Sequence, residues 1–206
     1  YFDPATFNIA AEANIHIGHL VTPASQTIGI FAGKPLPRLR VNNTSNRNPV
    51  ARLETVPATI TSLLQIDAGS TFDANGQDLT LNGDMNAFGA YVPGGNITYF
   101  GSSGTQTING GGTSVTFHDL DKTASGNLVL NGGNTPVTIG NALFLRAGSF
   151  TDNGNTVIIK GNVLNDATHV NSSPGDGMVM NGDNPQQLTG NGIFGKLTIR
   201  NPKGVF

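Results

Sequence analysis

From residue 58 onward, short apolar runs alternate with clusters of Gly, Asn, Asp and Ser. The runs include Leu63 to Ile66, Leu79-Thr80-Leu81, Ile97 to Phe100, Val115-Thr116-Phe117 and Leu128-Val129-Leu130. They continue at Val137-Thr138-Ile139, Leu143-Phe144-Leu145, Val157-Ile158-Ile159, Met178-Val179-Met180 and Leu197-Thr198-Ile199. Spacing of apolar residues by two is the mark of a half-buried strand. These runs predict many short strands, none with a face large enough to be buried alone.

The pattern recurs over a long distance. Phe72 to Met85 reads F-D-A-N-G-Q-D-L-T-L-N-G-D-M, and Phe150 to Val163 reads F-T-D-N-G-N-T-V-I-I-K-G-N-V. At one constant offset, Phe72 falls on Phe150, Asn75-Gly76 on Asn153-Gly154, Leu79 on Val157, Leu81 on Ile159 and Gly83 on Gly161. Thr105-Gln106-Thr107-Ile108 matches Pro185-Gln186-Gln187-Leu188 at an offset of 80, and Phe117 to Leu120 matches Phe194 to Leu197 at 77, a drift that places single-residue insertions in turns. The repeat breaks off at Phe206, so the natural chain is expected to continue beyond it.

A strand-and-turn unit repeated at fixed spacing points to stacking, in which neighbouring units bury each other's apolar faces. The predicted fold is a right-handed parallel β-helix, an elongated β-solenoid over residues 58–206. Its internal repeat of ~78 residues would hold two to four coils. Repeated Asn at the turns could form side-chain amide ladders along the axis. Asn-Gly also favours hairpins, so an antiparallel β-sandwich is the alternative. A sandwich has no reason to repeat its sequence at so long a fixed offset.

Residues 1–57 are an irregular or strand-containing region, a cap or a neighbouring domain. Phe7 and Ile9, Ile15 and Ile17, and Ile28 and Ile30 stand two apart. Residues 33–57 carry Pro35, Pro37, Pro49 and Pro57 with Lys34, Arg38, Arg40, Arg47 and Arg52. That stretch is the candidate domain boundary. It reads as a solvated excursion, with proline discouraging strand addition, or as a basic patch for an acidic glycan or a partner.

Composition narrows the class. Charged residues make up 12% of the 206 residues, about half the ~25% of an ordinary globular chain. With 28 Gly and 37% hydrophobics, the chain fits short strands and tight turns rather than disorder. A net charge of −2 gives no general attraction to nucleic acid. No apolar run reaches the ~20 residues of a membrane-spanning helix, so no membrane insertion of this segment is expected. There is no Cys, which removes disulfides and thiolate chemistry.

The string G-S-S-G-T-Q-T-I-N-G-G-G-T-S-V-T-F-H-D-L at 101–120, then N-L-V-L, then L-F-L-R-A-G-S-F-T-D-N-G-N-T-V-I-I-K-G-N-V at 143–163 resembles repeat regions of large adhesin-like surface proteins. These belong to gliding bacteria and are exported by the type IX secretion system. The resemblance covers about residues 68–206. It implies an extracellular β-helical segment at the outer cell surface, active in adhesion, gliding or biofilm attachment. Its implied partners are surface glycans, other cell-surface proteins and the secretion machinery. No catalytic residue comes with it. Asp119-Leu120-Asp121 departs from the pattern, and residues 1–57 lie outside it.

Candidate chemistry is sparse. Asp119 and Asp121 share a strand face and could contribute to a Ca²⁺ site, although calcium normally takes 6–8 oxygens. No other cofactor is expected. His16 and His19 are three apart and would face oppositely on a strand. The same alternation separates His118 from Asp119. The fourth histidine is His169. Parallel β-helices also include carbohydrate-binding and polysaccharide-cleaving proteins, which is the alternative function. From residue 58 on, however, the six basic and ten acidic residues do not gather.

Overall fold

A computed structural model of the chain describes residues 13–17, 27–30, 34–43, 46, 48–131, 135–172 and 175–206. Among them are strands and turns and no helix. Phe7, Ile9 and His19 lie outside the described residues. Every strand pairing found is parallel, which excludes the antiparallel sandwich. The chain is a β-solenoid of about 7 turns.

The pairing register resolves the coil into three faces. The first face stacks Asn14–Ile17, the end of Leu36–Val41, the end of Ala58–Ile66 and Asp84–Ala87. It continues through Thr105–Asn109, Asn127–Leu130, Ser149–Thr151 and Thr168–Val170. The second stacks the start of Ala58–Ile66, Leu79–Leu81, Ile97–Phe100 and the ends of Val115–Lys122 and Val137–Leu145. Val163–Asn165 and Leu188–Thr189 complete it. The third carries Thr27–Ile30, Val50–Leu53, Thr71–Asp73 and Ala90–Val92. Higher up it holds the starts of Val115–Lys122 and Val137–Leu145, then Val157–Ile159, Met178–Met180 and Leu197–Ile199.

Partners along the second face are Leu36, Ile60, Leu81, Phe100, Lys122, Leu145 and Asn165, each one coil after the last. A coil is therefore short, roughly 20 residues, at the low end of the range for stacked repeats. The long sequence repeat spans three such coils and two further faces. Phe72 lies on the third face against Tyr91, while Phe150 lies on the first against Leu128 and His169. Leu79 is on the second face and Val157 on the third. Residues one repeat apart therefore do not stack on one another. Each matching element reappears one face away. A near-triangular cross-section accepts the same turn–strand–corner module on any side.

Inward positions build one core running from Ile17 and Ile30 to Met180. Phe72, Phe100, Phe117 and Phe150 are fully buried within it, each contributing about 1.5–3 kcal/mol. The third face is bridged between Ala90–Val92 and Val115–Lys122 by rings: Tyr91 lies 5.6 Å from Phe117 and 6.2 Å from Phe72. The Tyr91 hydroxyl is 2.7 Å from the Thr98 hydroxyl, and burial pushes its pKa up to about 12. At the last coil Ile193, Ile199 and Phe206 are exposed.

The composition shift at 33–57 does not mark a break in pairing. Leu36–Val41 pairs with Asn14–Ile17 on one side and with Ala58–Ile66 on the other, and Val50–Leu53 pairs with Thr71–Asp73. The described strands before residue 58 therefore belong to the same stack. Proline is accommodated because Pro35 and Pro49 precede strands and Pro37 coincides with a register shift between Leu36 and Arg38.

Candidate functional site

Asp119 and Asp121 do face outward together, on the second face, as strand alternation requires. Their oxygens are already engaged. Asp119 Oδ1 accepts from the Asn141 side chain and the Ala142 backbone N–H, both at 2.7 Å. Asp121 receives Arg146 Nε at 2.9 Å on both oxygens and a further guanidinium nitrogen at 2.8 Å. In register, Asp121 sits between Tyr99 and Phe144, and the Arg146 guanidinium lies 5.1 Å from the Phe144 ring centre. The cation and the rings shield this carboxylate from water. Among the described residues no group of three or more His, Asp or Glu is placed to hold a metal ion.

His118 corrects an expectation. Its Nδ1 lies 3.0 Å from Asp119 Oδ2, although sequence neighbours on a strand should point apart. The strand Val115–Lys122 turns a corner there, and its register shifts between Phe117 and Asp119. The bulge at the corner brings the two side chains to one side.

The repeat positions define corners rather than a ligand site. Asn75-Gly76 and Asn153-Gly154 both have positive φ, at 52° and 74° and at 51° and 80°. They form the expected tight turns. Asn75 Nδ2 reaches the Leu53 carbonyl of the preceding coil at 3.1 Å. Because Asn75 and Asn153 sit on turns of different faces, the expected amide ladder between them does not form. Gly83 and Gly161 are not at positive φ; they are required by crowding. A Cβ at Gly83 would collide with the Ser62 carbonyl oxygen, and one at Gly161 with that of Asn141.

The two glutamines of the second matching segment bind these same corners. Gln106 Nε2 donates to the carbonyls of Leu81 at 2.9 Å and Gly83 at 2.8 Å, while its Oε1 accepts from Ser102 N–H at 2.9 Å. Gln186 does the same with Ile159, Gly161 and Gly182 N–H. Both side chains are buried. Asp84 Oδ1 accepts from Thr107 N–H and Asn162 Oδ1 from Gln187 N–H, each at 2.8 Å. The sequence thus repeats a coil-to-coil clamp. Gln106→Ala removes three hydrogen bonds to the backbone, leaving the Leu81 carbonyl with Gly101 N–H as its donor, and is expected to cost about 2–4 kcal/mol, read from urea unfolding followed by circular dichroism.

Two further buried polar groups were not legible as such. Lys122 is 2% exposed, between Phe100 and Leu145 in the inward column, and its ammonium donates to the carbonyls of Ala124 at 2.5 Å and Ala147 at 2.8 Å. Burial pulls its pKa below the ordinary lysine range. Its alternation with Leu120 placed it inward, but its charge argued for the surface. His169 stacks in register on Phe150, and its Nε2 lies 2.9 Å from Asp152 Oδ2 inside the core. Asp152 also accepts from Gly154 N–H and Ser172 N–H at 3.0 Å and from Asn171 Nδ2 at 2.8 Å. Burial lowers the His169 pKa against the opposing pull of Asp152, so the ring is neutral near pH 7.

Of the basic residues in 33–57, Arg52 contacts Asp73 at 3.3 Å and the Asn75 side chain at 2.6 Å. Arg38 and Arg40 face outward on the first face beside His16, and Lys34 is exposed. Arg47 lies outside the described residues. No helix among the described residues is long and apolar enough to cross a membrane. Comparison of the chain with known protein families, curated proteins and solved structures finds no match.

Proposed function

We propose that this chain is a non-enzymatic structural and adhesive segment of a large bacterial surface protein, held outside the cell and engaging surface glycans or other surface proteins. The observation that carries the reading is where the polar side chains go. Gln106, Gln186, Lys122, Asp119 and the Asp152–His169 pair are all engaged in bonds that fix one coil or turn to another. Such a rod displays long, low-charge β faces at a fixed spacing, which suits attachment over distance. The resemblance of residues 68–206 to adhesin-like repeats supports the same reading and brings with it export by the secretion machinery and a role in gliding or biofilm attachment.

Beads coated with the purified chain are expected to adhere to bacterial and polysaccharide-coated surfaces without releasing new reducing ends from the polysaccharide. Turnover of a polysaccharide by the chain, or adhesion no greater than that of albumin-coated beads, contradicts the proposal.

A further inference from the structure

We propose that an outward groove at the N-terminal end of the first face binds the carboxylate or sulfate groups of an acidic polysaccharide. The groove is lined by Asn14, His16, Arg38, Arg40, Leu63 and Gln65, drawn from three consecutive coils. Register sets Asn14 beside Arg38 and His16 beside Arg40, with Leu63 and Gln65 on the far side. Rows in such a stack are about 4.8 Å apart, and like-facing residues on one strand about 6.6 Å apart. The two guanidinium groups thus stand side by side on one row.

Their surroundings differ in a way that favours an anion. Arg40 is held by Asp67, with Nε at 2.9 Å and a second nitrogen at 2.8 Å, and Asp67 is itself fixed by Gln65 Nε2 at 2.7 Å. Arg38 is exposed, and its contact among the described residues is Ser62 Oγ at 3.4 Å. No carboxylate among them pairs with Arg38, so its planar fork is open to a bidentate carboxylate or sulfate. Lys34, also exposed, adds positive charge just before the strand. The only carboxylate bonded to a lining side chain among the described residues is Asp67.

A glycan fits better than a nucleic acid. No Phe, Tyr or Trp lines the groove as a platform for bases to stack on. The chain's net charge of −2 opposes the long-range attraction on which nucleic-acid binding depends. The Asn14 amide offers both a donor and an acceptor to sugar hydroxyls.

The inference deepens the adhesive reading and rests on it. The test titrates the whole chain with polygalacturonate, dextran sulfate, neutral dextran and an oligo-dT strand, for wild type, Arg38→Gln and, at the other end of the rod, Arg200→Gln. At least one acidic glycan is expected to bind more tightly than dextran and oligo-dT, and to weaken from about 50 to about 200 mM salt. Arg38→Gln should lower that affinity at least about tenfold, with Arg200→Gln unchanged and both variants showing wild-type circular dichroism. Equal binding of dextran, tighter binding of oligo-dT, no binding of either acidic glycan, or equal losses in the two variants overturns the proposal. Bead adhesion that persists in Arg38→Gln removes the groove while leaving the adhesive reading intact.

Discussion

Gly161→Ala is expected to destabilise the protein by about 3 kcal/mol or more, with Gly83→Ala behaving alike. At each position a Cβ would be driven into a backbone carbonyl of the preceding coil, Asn141 at one and Ser62 at the other. Backbone cannot swing aside as a long side chain can, so a whole corner must lift. The carbonyls of Gly161 and Gly83 themselves receive Gln186 and Gln106, so lifting the corner also loosens the clamp. Gly140 is the internal control. Its added Cβ would lie 3.6 Å from the nearest heavy atom, the Phe117 carbonyl oxygen, an ordinary contact. Gly140→Ala should change stability by less than about 1 kcal/mol. Thermal unfolding of the three variants by circular dichroism checks this; equal effects at 140 and 161 would contradict the close-approach explanation.

The second large effect is expected at Asp152. This carboxylate is buried and accepts bonds from His169, Asn171, Gly154 and Ser172. Asp152→Ala removes the acceptor for all four and is expected to cost about 3–5 kcal/mol. The same pair sets an acid dependence. Burial holds the native pKa of His169 below the ordinary 6.5 of the unfolded chain. As pH falls through 6.5, the unfolded chain takes up a proton that the native ring refuses, so stability falls. The loss grows until the pH reaches the lower native value and then levels off. His169→Gln should flatten the stability–pH slope below pH 6.5 by one proton. An unchanged slope in that variant means that His169 is not the group responsible.

How much was legible follows from what each residue type signals. Alternation in Leu79-Thr80-Leu81 or Val157-Ile158-Ile159 gave strand and facing directly, because a half-buried strand has a two-residue period. The stacking could be read from the long repeat. The coil length could not, since corners absorb insertions and successive coils from Leu36 to Asn165 differ in length. The strongest self-match therefore falls at the spacing of Phe72 and Phe150, where the module lands one face away rather than on itself. Residues 33–57 were misleading for a related reason: Pro35 and Pro49 look like breaks in the sequence but stand just before strands in the structure. The site residues divide in the same way. Gln106 and Gln186 were visible as a match, but their role depends on Gly83 and Gly161, a full coil earlier. Lys122 and His169 were hidden because a polar residue at an inward position announces itself only when its partners are known.

The central claim is the parallel stack, in which a residue's neighbour lies one coil away and not one repeat away. The chain has no Cys, so introduced pairs report cleanly. Thr59 and Thr80 are in register on the second face, and Thr138 and Ile158 on the third. Adjacent strands place such pairs about 4.8 Å apart, inside the roughly 4.4–6.8 Å Cα range of a disulfide. Thr71 and Ser149 stand one full repeat apart in sequence but lie on different faces. Mild oxidation should cross-link the Thr59→Cys/Thr80→Cys and Thr138→Cys/Ile158→Cys proteins to near completion and leave Thr71→Cys/Ser149→Cys reduced. Cross-linking of the pair one repeat apart, with neither of the others closing, would contradict the stack as described.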